Sequence, residues 1–219
     1  MLKWYSDRFA TVEINNSFYR LPTEEALQHW YEITPKNFCF SVKASRFITH
    51  IKRLRDPENA IENFLSRVSV LQEKLGPILF QLPPHWHVDE ERLELFLNAL
   101  PKKYRYAVEF RDLTWYVPNI YAVLQRHNTA LCIHDWRAAQ WPIEFTADFT
   151  YVRFHGPSGT YNGNYSDSML RKWATQVRQW KSQLSKLYLY FNNDQGGHAI
   201  RNAQQLLGYL KENTGQIAA

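Results

Sequence analysis

The chain has 219 residues, of which 45% are hydrophobic, 21% charged and 16% aromatic. That balance excludes an extended disordered chain and suits one well-buried domain near the size of a single (βα) barrel. The formal charge of +5 permits weak attraction to nucleic acid or other polyanions, but no run of Lys and Arg is long enough to form a basic tail.

Taken in order, strand patterns alternate with helical ones. Leu2–Phe9 reads as the end of a helix, Thr11–Asn15 as a strand, Thr23–Ile33 as a helix and Phe38–Lys43 as a strand. The clearest helix follows. Asp56 is its expected N-cap, Pro57 its first position and Gly76 the residue after its end, with Ile61, Phe64, Leu65, Val68 and Leu71 as the apolar stripe. Strand Ile78–Leu82 stops at Pro83-Pro84. Asp89 caps a helix bearing Leu93, Phe96, Leu97 and Leu100. Strand Tyr106–Phe110, a helix near Asn119–Arg126 and strand Ala130–His134 come next, while 136–149 has no strong helical pattern. Strand Tyr151–His155 runs into a Gly-, Tyr- and Asn-rich loop. Ser166 or Asp167 then caps a helix whose stripe, including Trp173 and Trp180, belongs to the core. Strand Leu187–Phe191 and helix His198–Lys211 complete the pattern.

Seven strands, 11–15, 38–43, 78–82, 106–110, 130–134, 151–155 and 187–191, separated by helices imply right-handed βαβ units on a parallel sheet. No linker or repeat divides them, so residues 1–219 are expected to form one α/β domain. The strand phases choose between a barrel and a doubly wound sheet. One phase is apolar, as in Val12 and Ile14, Phe40 and Val42, Phe80 and Leu82, Val108 and Phe110, Val152 and Phe154. The other carries Glu13, Asn15, Ser41, Lys43, Gln81, Glu109, Arg111, His134, Arg153, His155 and Asn192. A doubly wound sheet buries both faces under helices and is apolar in both phases, whereas a helix-covered barrel can keep a polar lumen near the carboxyl ends. A TIM-barrel-like fold is therefore expected.

Cys39 and Cys132 both fall in expected strands, allowing one disulfide by count but no secreted scaffold. The start, MLKWYSDRF, has no long apolar core, and no apolar run reaches membrane-spanning length, so a cytoplasmic protein without membrane association is expected.

Six blocks in order, VEINNSFYRLP (12–22), FSVKASRFITH (40–50), LGPILFQLPPHW (75–86), YAVEFRDLTWY (106–116), YVRFHG (151–156) and YFNNDQGGHAIRNAQQL (190–206), resemble the motifs of the YecE-like family, domain of unknown function 72. The resemblance covers nearly the whole chain. It implies a TIM-barrel-like fold and no established activity. It also implies a first strand of the type SGWSY ahead of the VEIN strand, which this chain lacks, and a His-Pro-Ser after EFR where this chain has Asp112-Leu113-Thr114. Seven strands in place of eight would leave edges at Thr11–Asn15 and Leu187–Phe191, a gap that strand shifts would narrow, the N-terminal segment cover or a second subunit of a homo-oligomer close.

The polar phase suggests chemistry. Burying so many ionisable groups without partners would cost several kcal/mol each, so they pair with one another, face water or await a ligand. Lys43, Arg111 and Arg153 against Glu13 and Glu109 leave one positive charge, which suits a small anionic ligand or nucleic acid. Arg is fitted to bidentate phosphate contact. The leading expectation is a hydrolase of a phosphate-bearing substrate, with Glu13, Glu109 or His155 for acid–base work. Asn15, Lys43, Gln81, Arg111, His134, Arg153, Tyr161, Asn192, Asn193 and Asp194 are the expected binding residues. Gly196-Gly197 before a helix adds a further anion-suited terminus, though no GxxxxGK[ST] is present. The residues leave the cofactor open. A divalent metal on Glu13, Glu109, His134, Asp135, His155 and Asp194 is not favoured, because no short-range motif fixes it and neighbouring Lys and Arg would repel it. A glycosidase would need the pair Glu13 and Glu109 to flank the bond, whereas both also suit anchoring of cations. Trp86, Trp115, Trp136 and Trp141 follow strand ends and either stack a base or sugar or seal the loops. Tyr161 and Tyr165 either close over a ligand or anchor their loop. The competing class is a binder that holds an anion or nucleic acid without turnover.

Overall fold

The computed structural model describes residues 1–138 and 141–212. The chain divides into two compact units, Met1–Leu131 and Cys132–Ala219.

In the first unit, helix α1 (Leu2–Ser6) leads into strand β1 (Thr11–Ile14), α2 (Glu24–Ile33), β2 (Cys39–Lys43), α3 (Glu58–Val68), β3 (Leu75–Gln81), α4 (Glu90–Asn98), β4 (Tyr106–Glu109), α5 (Pro118–Arg126) and the start of β5 (Ala130–His134). All the strand pairs are parallel and follow chain order, as the βαβ reading requires. The apolar phase packs against helices. Phe40 stacks with Trp30 of α2 at 6.4 Å, and Phe80 meets Phe96 of α4 edge-on at 4.9 Å. Val42, Ile78 and Val108 are buried in the same core as Leu27, Phe64 and Leu124. Each such large apolar side chain contributes about 1.5–3 kcal/mol by leaving water.

Two helix boundaries differ from expectation. Asp56 is not the cap of α3. It adopts left-handed backbone, φ 39°, and Pro57 takes the N-cap place without a side-chain bond. Nor does Gly76 end that helix, which stops at Val68 and continues as a 3-10 segment to Lys74; Gly76 lies inside β3. Its need for glycine is steric, because a Cβ there would overlap the Cys39 sulfur of β2. Asp89 does cap α4, accepting from the Arg92 amide at 3.1 Å. Buried Lys74 serves the other end of α2, donating to the Tyr31 and Thr34 carbonyls.

The second unit holds the end of β5, β6 (Phe149–Phe154), α6 (Asp167–Trp180), β7 (Lys186–Phe191) and α7 (His198–Glu212). Its strands are again parallel, with His134 opposite Arg153 and Arg153 opposite Tyr190. Ser166, not Asp167, caps α6 through the Met169 amide at 3.3 Å. Val152 and Phe154 pack with Leu170, Ala174 and Val177 of α6 and Leu206 of α7, and Trp173 meets Phe154 edge-on at 4.9 Å. In the opposite phase Phe149, Tyr151, Tyr188 and Tyr190 form an aromatic layer, with Tyr190 level with Arg153 in the register. The parallel strands, their order and the split into an apolar and a polar phase are those of a TIM-barrel-like α/β fold. Cys39 and Cys132 are both free thiols. Among the described residues, no helix is long and apolar enough to cross a membrane.

Candidate functional site

In the first unit the polar phase converges at the carboxyl ends of β2, β3 and β4. Lys43 ends β2 and donates to the Gln81 side-chain amide oxygen, Oε1, at 2.7 Å. Glu109, fully buried at the end of β4, accepts from the Arg111 Nε in a close ion pair. Gln81 stands opposite Glu109 in the parallel register. The loop after β1 is pinned here by Ser17, whose hydroxyl reaches the Lys43 carbonyl at 2.6 Å and the Ile14 carbonyl at 2.9 Å. That places the Phe18 ring under the Lys43 ammonium, 4.3 Å from its centroid. Glu13 and Asn15, on β1 and just beyond it, are half-buried.

The loop after β2 adds residues that strand patterns did not mark. One π-helical turn, Phe47–Ile51, presents the His50 ring edge-on to Phe18 at 5.0 Å, with Thr49 Oγ1 2.9 Å from His50 Nδ1. Burial, and then the charges of Lys43, Arg46, Arg111 and Arg53, push His50 down from its ordinary value to about 4. The imidazole is therefore neutral at pH 7, with four cations acting on it. Arg53 extends over Trp86, its guanidinium carbon 6.0 Å from the ring centroid. Among the described residues neither Arg46 nor Arg53 has a carboxylate partner.

The second unit builds a different cluster. Asp135, directly after β5, accepts from the His155 amide at 2.6 Å, and His155 Nδ1 lies 3.4 Å from the same oxygen. The other Asp135 oxygen accepts from the Tyr165 hydroxyl, which itself accepts from the Gly156 amide at 2.8 Å. Burial and the Asp135 charge push the Tyr165 phenol well above its ordinary range, so it stays protonated and donating. Tyr165 is thus a buried loop anchor. Tyr161 is exposed and meets the His155 ring edge-on at 4.8 Å. His134 lies 4.6 Å from the Trp141 ring and 6.0 Å from that of His155. Arg153 and Asn192 are buried, and Asp194 is exposed beside left-handed Gly196. Asn193, also buried, donates to the Gly163 carbonyl at 2.8 Å and Asn202 Oδ1 at 2.9 Å, tying the loop after β6 to α7.

Among the described residues, no three His, Cys, Asp or Glu side chains gather into a group able to hold a metal. Of the four tryptophans that follow strand ends, two are core. Trp115 is fully buried, stacked on Phe110 at 4.8 Å and donating its indole N–H to the Trp86 carbonyl, and Trp86 is itself buried. Trp136 and Trp141 are half-buried and bonded to each other at 2.8 Å.

The model of the family described as Protein of unknown function DUF72 matches residues 1–219. The chain belongs to this family. It is 27% identical to UPF0759 protein YunF of Bacillus subtilis (strain 168), over 95% of this chain and 86% of that one. It is 35% identical to UPF0759 protein YecE of Escherichia coli (strain K12), over 50% of this chain and 41% of that one. A DUF72 family protein of Thermotoga maritima MSB8, in a crystal structure at 2.20 Å, matches with TM-score 0.86 and 29% identity, covering 96% of this chain and 89% of that one. A second DUF72 family structure, from Enterococcus faecalis V583, matches with TM-score 0.84 and 23% identity over 95% and 92% of the two chains. The fold is that of the family.

At one point this DUF72 chain departs from the motif to which its sequence was compared. Asp112, in place of His after EFR, caps a 3-10 turn through the Thr114 amide at 3.0 Å and hydroxyl at 2.7 Å, and Thr114 in turn accepts from the Val88 amide at 2.9 Å. These bonds give Asp112-Leu113-Thr114 a loop-bracing role.

Proposed function

We propose that this DUF72 protein binds a phosphate-bearing anion at the carboxyl ends of β2 and β4. The observation that carries the reading is geometric: the Lys43 ammonium and the His50 ring meet on Phe18, and the turn and loop around His50 present exposed Arg46 and Arg53, neither with a carboxylate partner among the described residues. A dianion seated there would meet charge-assisted donors on several sides, each worth about 1.5–3 kcal/mol. Titration calorimetry with pyrophosphate tests it. Arg46→Ala and Arg53→Ala alter exposed side chains, so folding is retained, and each should weaken binding roughly tenfold or more. Unchanged affinity in both variants, or no binding by the unaltered protein, refutes the reading.

A second reading, hydrolysis of a phosphate ester within the second unit alone, is favoured by the Asp135 carboxylate 3.4 Å from His155 Nδ1. A histidine beside a carboxylate is a frequent arrangement for proton transfer in hydrolases. A panel of phosphomonoesters and phosphodiesters, assayed with and without divalent ions, tests turnover. Activity that His155→Gln abolishes while the thermal melt is kept supports it. Binding without turnover on any substrate leaves the protein a binder.

A further inference from the structure

We infer that the anion held in the first unit is the backbone of a single-stranded nucleic acid, whose bases stack on Tyr19 and Phe47. The inference rests on the phosphate reading above and adds the substrate class. Tyr19 is 80% exposed and Phe47 47% exposed, unusual values for rings that burial would stabilise. Neither ring is isolated from the cations. Tyr19 meets Phe18 edge-on at 5.0 Å, and Phe18 carries Lys43 on its face and His50 on its edge. Phe47 opens the helical turn that holds His50 and follows Arg46 directly. Ile51, the last residue of the same turn, is 63% exposed.

The arrangement matches the chemistry of a flexible polyanion bearing π-faces. Cations follow the backbone and aromatic side chains accept successive bases, without hydrogen bonds that read sequence. The basic residues of this segment, Lys43, Arg46, Lys52, Arg53 and Arg55, supply the charge, and the chain as a whole carries +5. A simple inorganic anion would use the cations alone and leave both rings in water.

Fluorescence anisotropy with labelled dT12 and a twelve-unit abasic strand of the same charge separates base from backbone. Stacking is worth about 1–3 kcal/mol per base, so dT12 should bind at least tenfold more tightly than the abasic strand. Tyr19→Ala and Phe47→Ala should each weaken dT12 about tenfold, leaving abasic and pyrophosphate affinities unchanged, and Tyr19→Phe should restore dT12 binding. Both rings are surface-exposed, and thermal melts should confirm intact folding. Equal affinity for dT12 and the abasic strand overturns the nucleic-acid inference while sparing the phosphate reading. Failure of dT12 to bind overturns the inference as well. Failure of pyrophosphate and the abasic strand together refutes the phosphate reading instead.

Discussion

His50 offers the most direct check on the cationic cluster. Its folded value of about 4 lies some 2.5 units below the ordinary 6.5, with burial first and Lys43, Arg46, Arg111 and Arg53 next among the causes. At about 1.36 kcal/mol per unit the ceiling is near 3.4 kcal/mol, and screening of a half-buried ring reduces this to about 1–2 kcal/mol. The sign follows from proton counting. Between pH 6.5 and 4 the unfolded chain binds the proton and the folded chain does not, so the contribution is complete above 6.5 and is lost as pH falls towards 4. NMR titration of the His50 ring should give a midpoint near 4, and pyrophosphate should move that midpoint upward by cancelling the positive field. In urea unfolding, the unaltered protein should lose about 1 kcal/mol more than His50→Gln between pH 7 and pH 5. A His50 midpoint at or above 6.5, or identical pH slopes for the two proteins, would refute the convergence of charge on this ring.

Two further outcomes test the frame. Gly76→Ala should cost about 1–3 kcal/mol in urea unfolding, because the added methyl must displace the Cys39 sulfur across the β2–β3 pair; a neutral result would mean that this approach is loose. Tyr165→Phe removes a donor from Asp135 and an acceptor from the Gly156 amide, and should cost about 1–3 kcal/mol while speeding hydrogen exchange at Gly156. Unchanged exchange there would show that the phenol does not hold the loop.

The fold was legible because two periodicities coincided. Alternation such as Val152 and Phe154 against Arg153 and His155 marked both the strand and its two environments, and helix caps such as Asp89 and Ser166 marked the returns. The misread boundary at α3 has a physical cause. Gly76 looked like a helix stop because glycine favours such places, whereas here it serves close packing of two strands, which one strand's pattern cannot reveal. Lys43 and Arg111, part of the proposed site, were legible because they extend strand phases. Arg46, His50 and Arg53, which join them in the proposed site, were not marked because a π-helical turn and a left-handed loop carry no period of two or 3.6. A signal existed all the same: Lys43, Arg46, His50, Lys52, Arg53 and Arg55 recur through one short segment without an acidic residue until Asp56. Asp135 was weighed only as a metal donor, since its bonds to His155 and Tyr165 depend on a loop closure invisible in the chain order.

Aromatic residues show most clearly where sequence reading must yield to burial. Trp86 and Trp115 follow strand ends, as stacking platforms often do, yet Trp115 spends its N–H on the Trp86 carbonyl and its face on Phe110. A ring so committed cannot receive a base without breaking the core. Tyr19 and Phe47 drew no notice in the strand pattern, being loop residues, and they alone of the four keep large exposed surface. Their value lies in what fixes them. Ser17 holds the Tyr19 loop to the Lys43 carbonyl, and the Phe47 turn is held through its Lys52 amide bond at 2.8 Å. Rings presented on anchored backbone lose little freedom when a base arrives, which is the condition under which exposed aromatics add affinity.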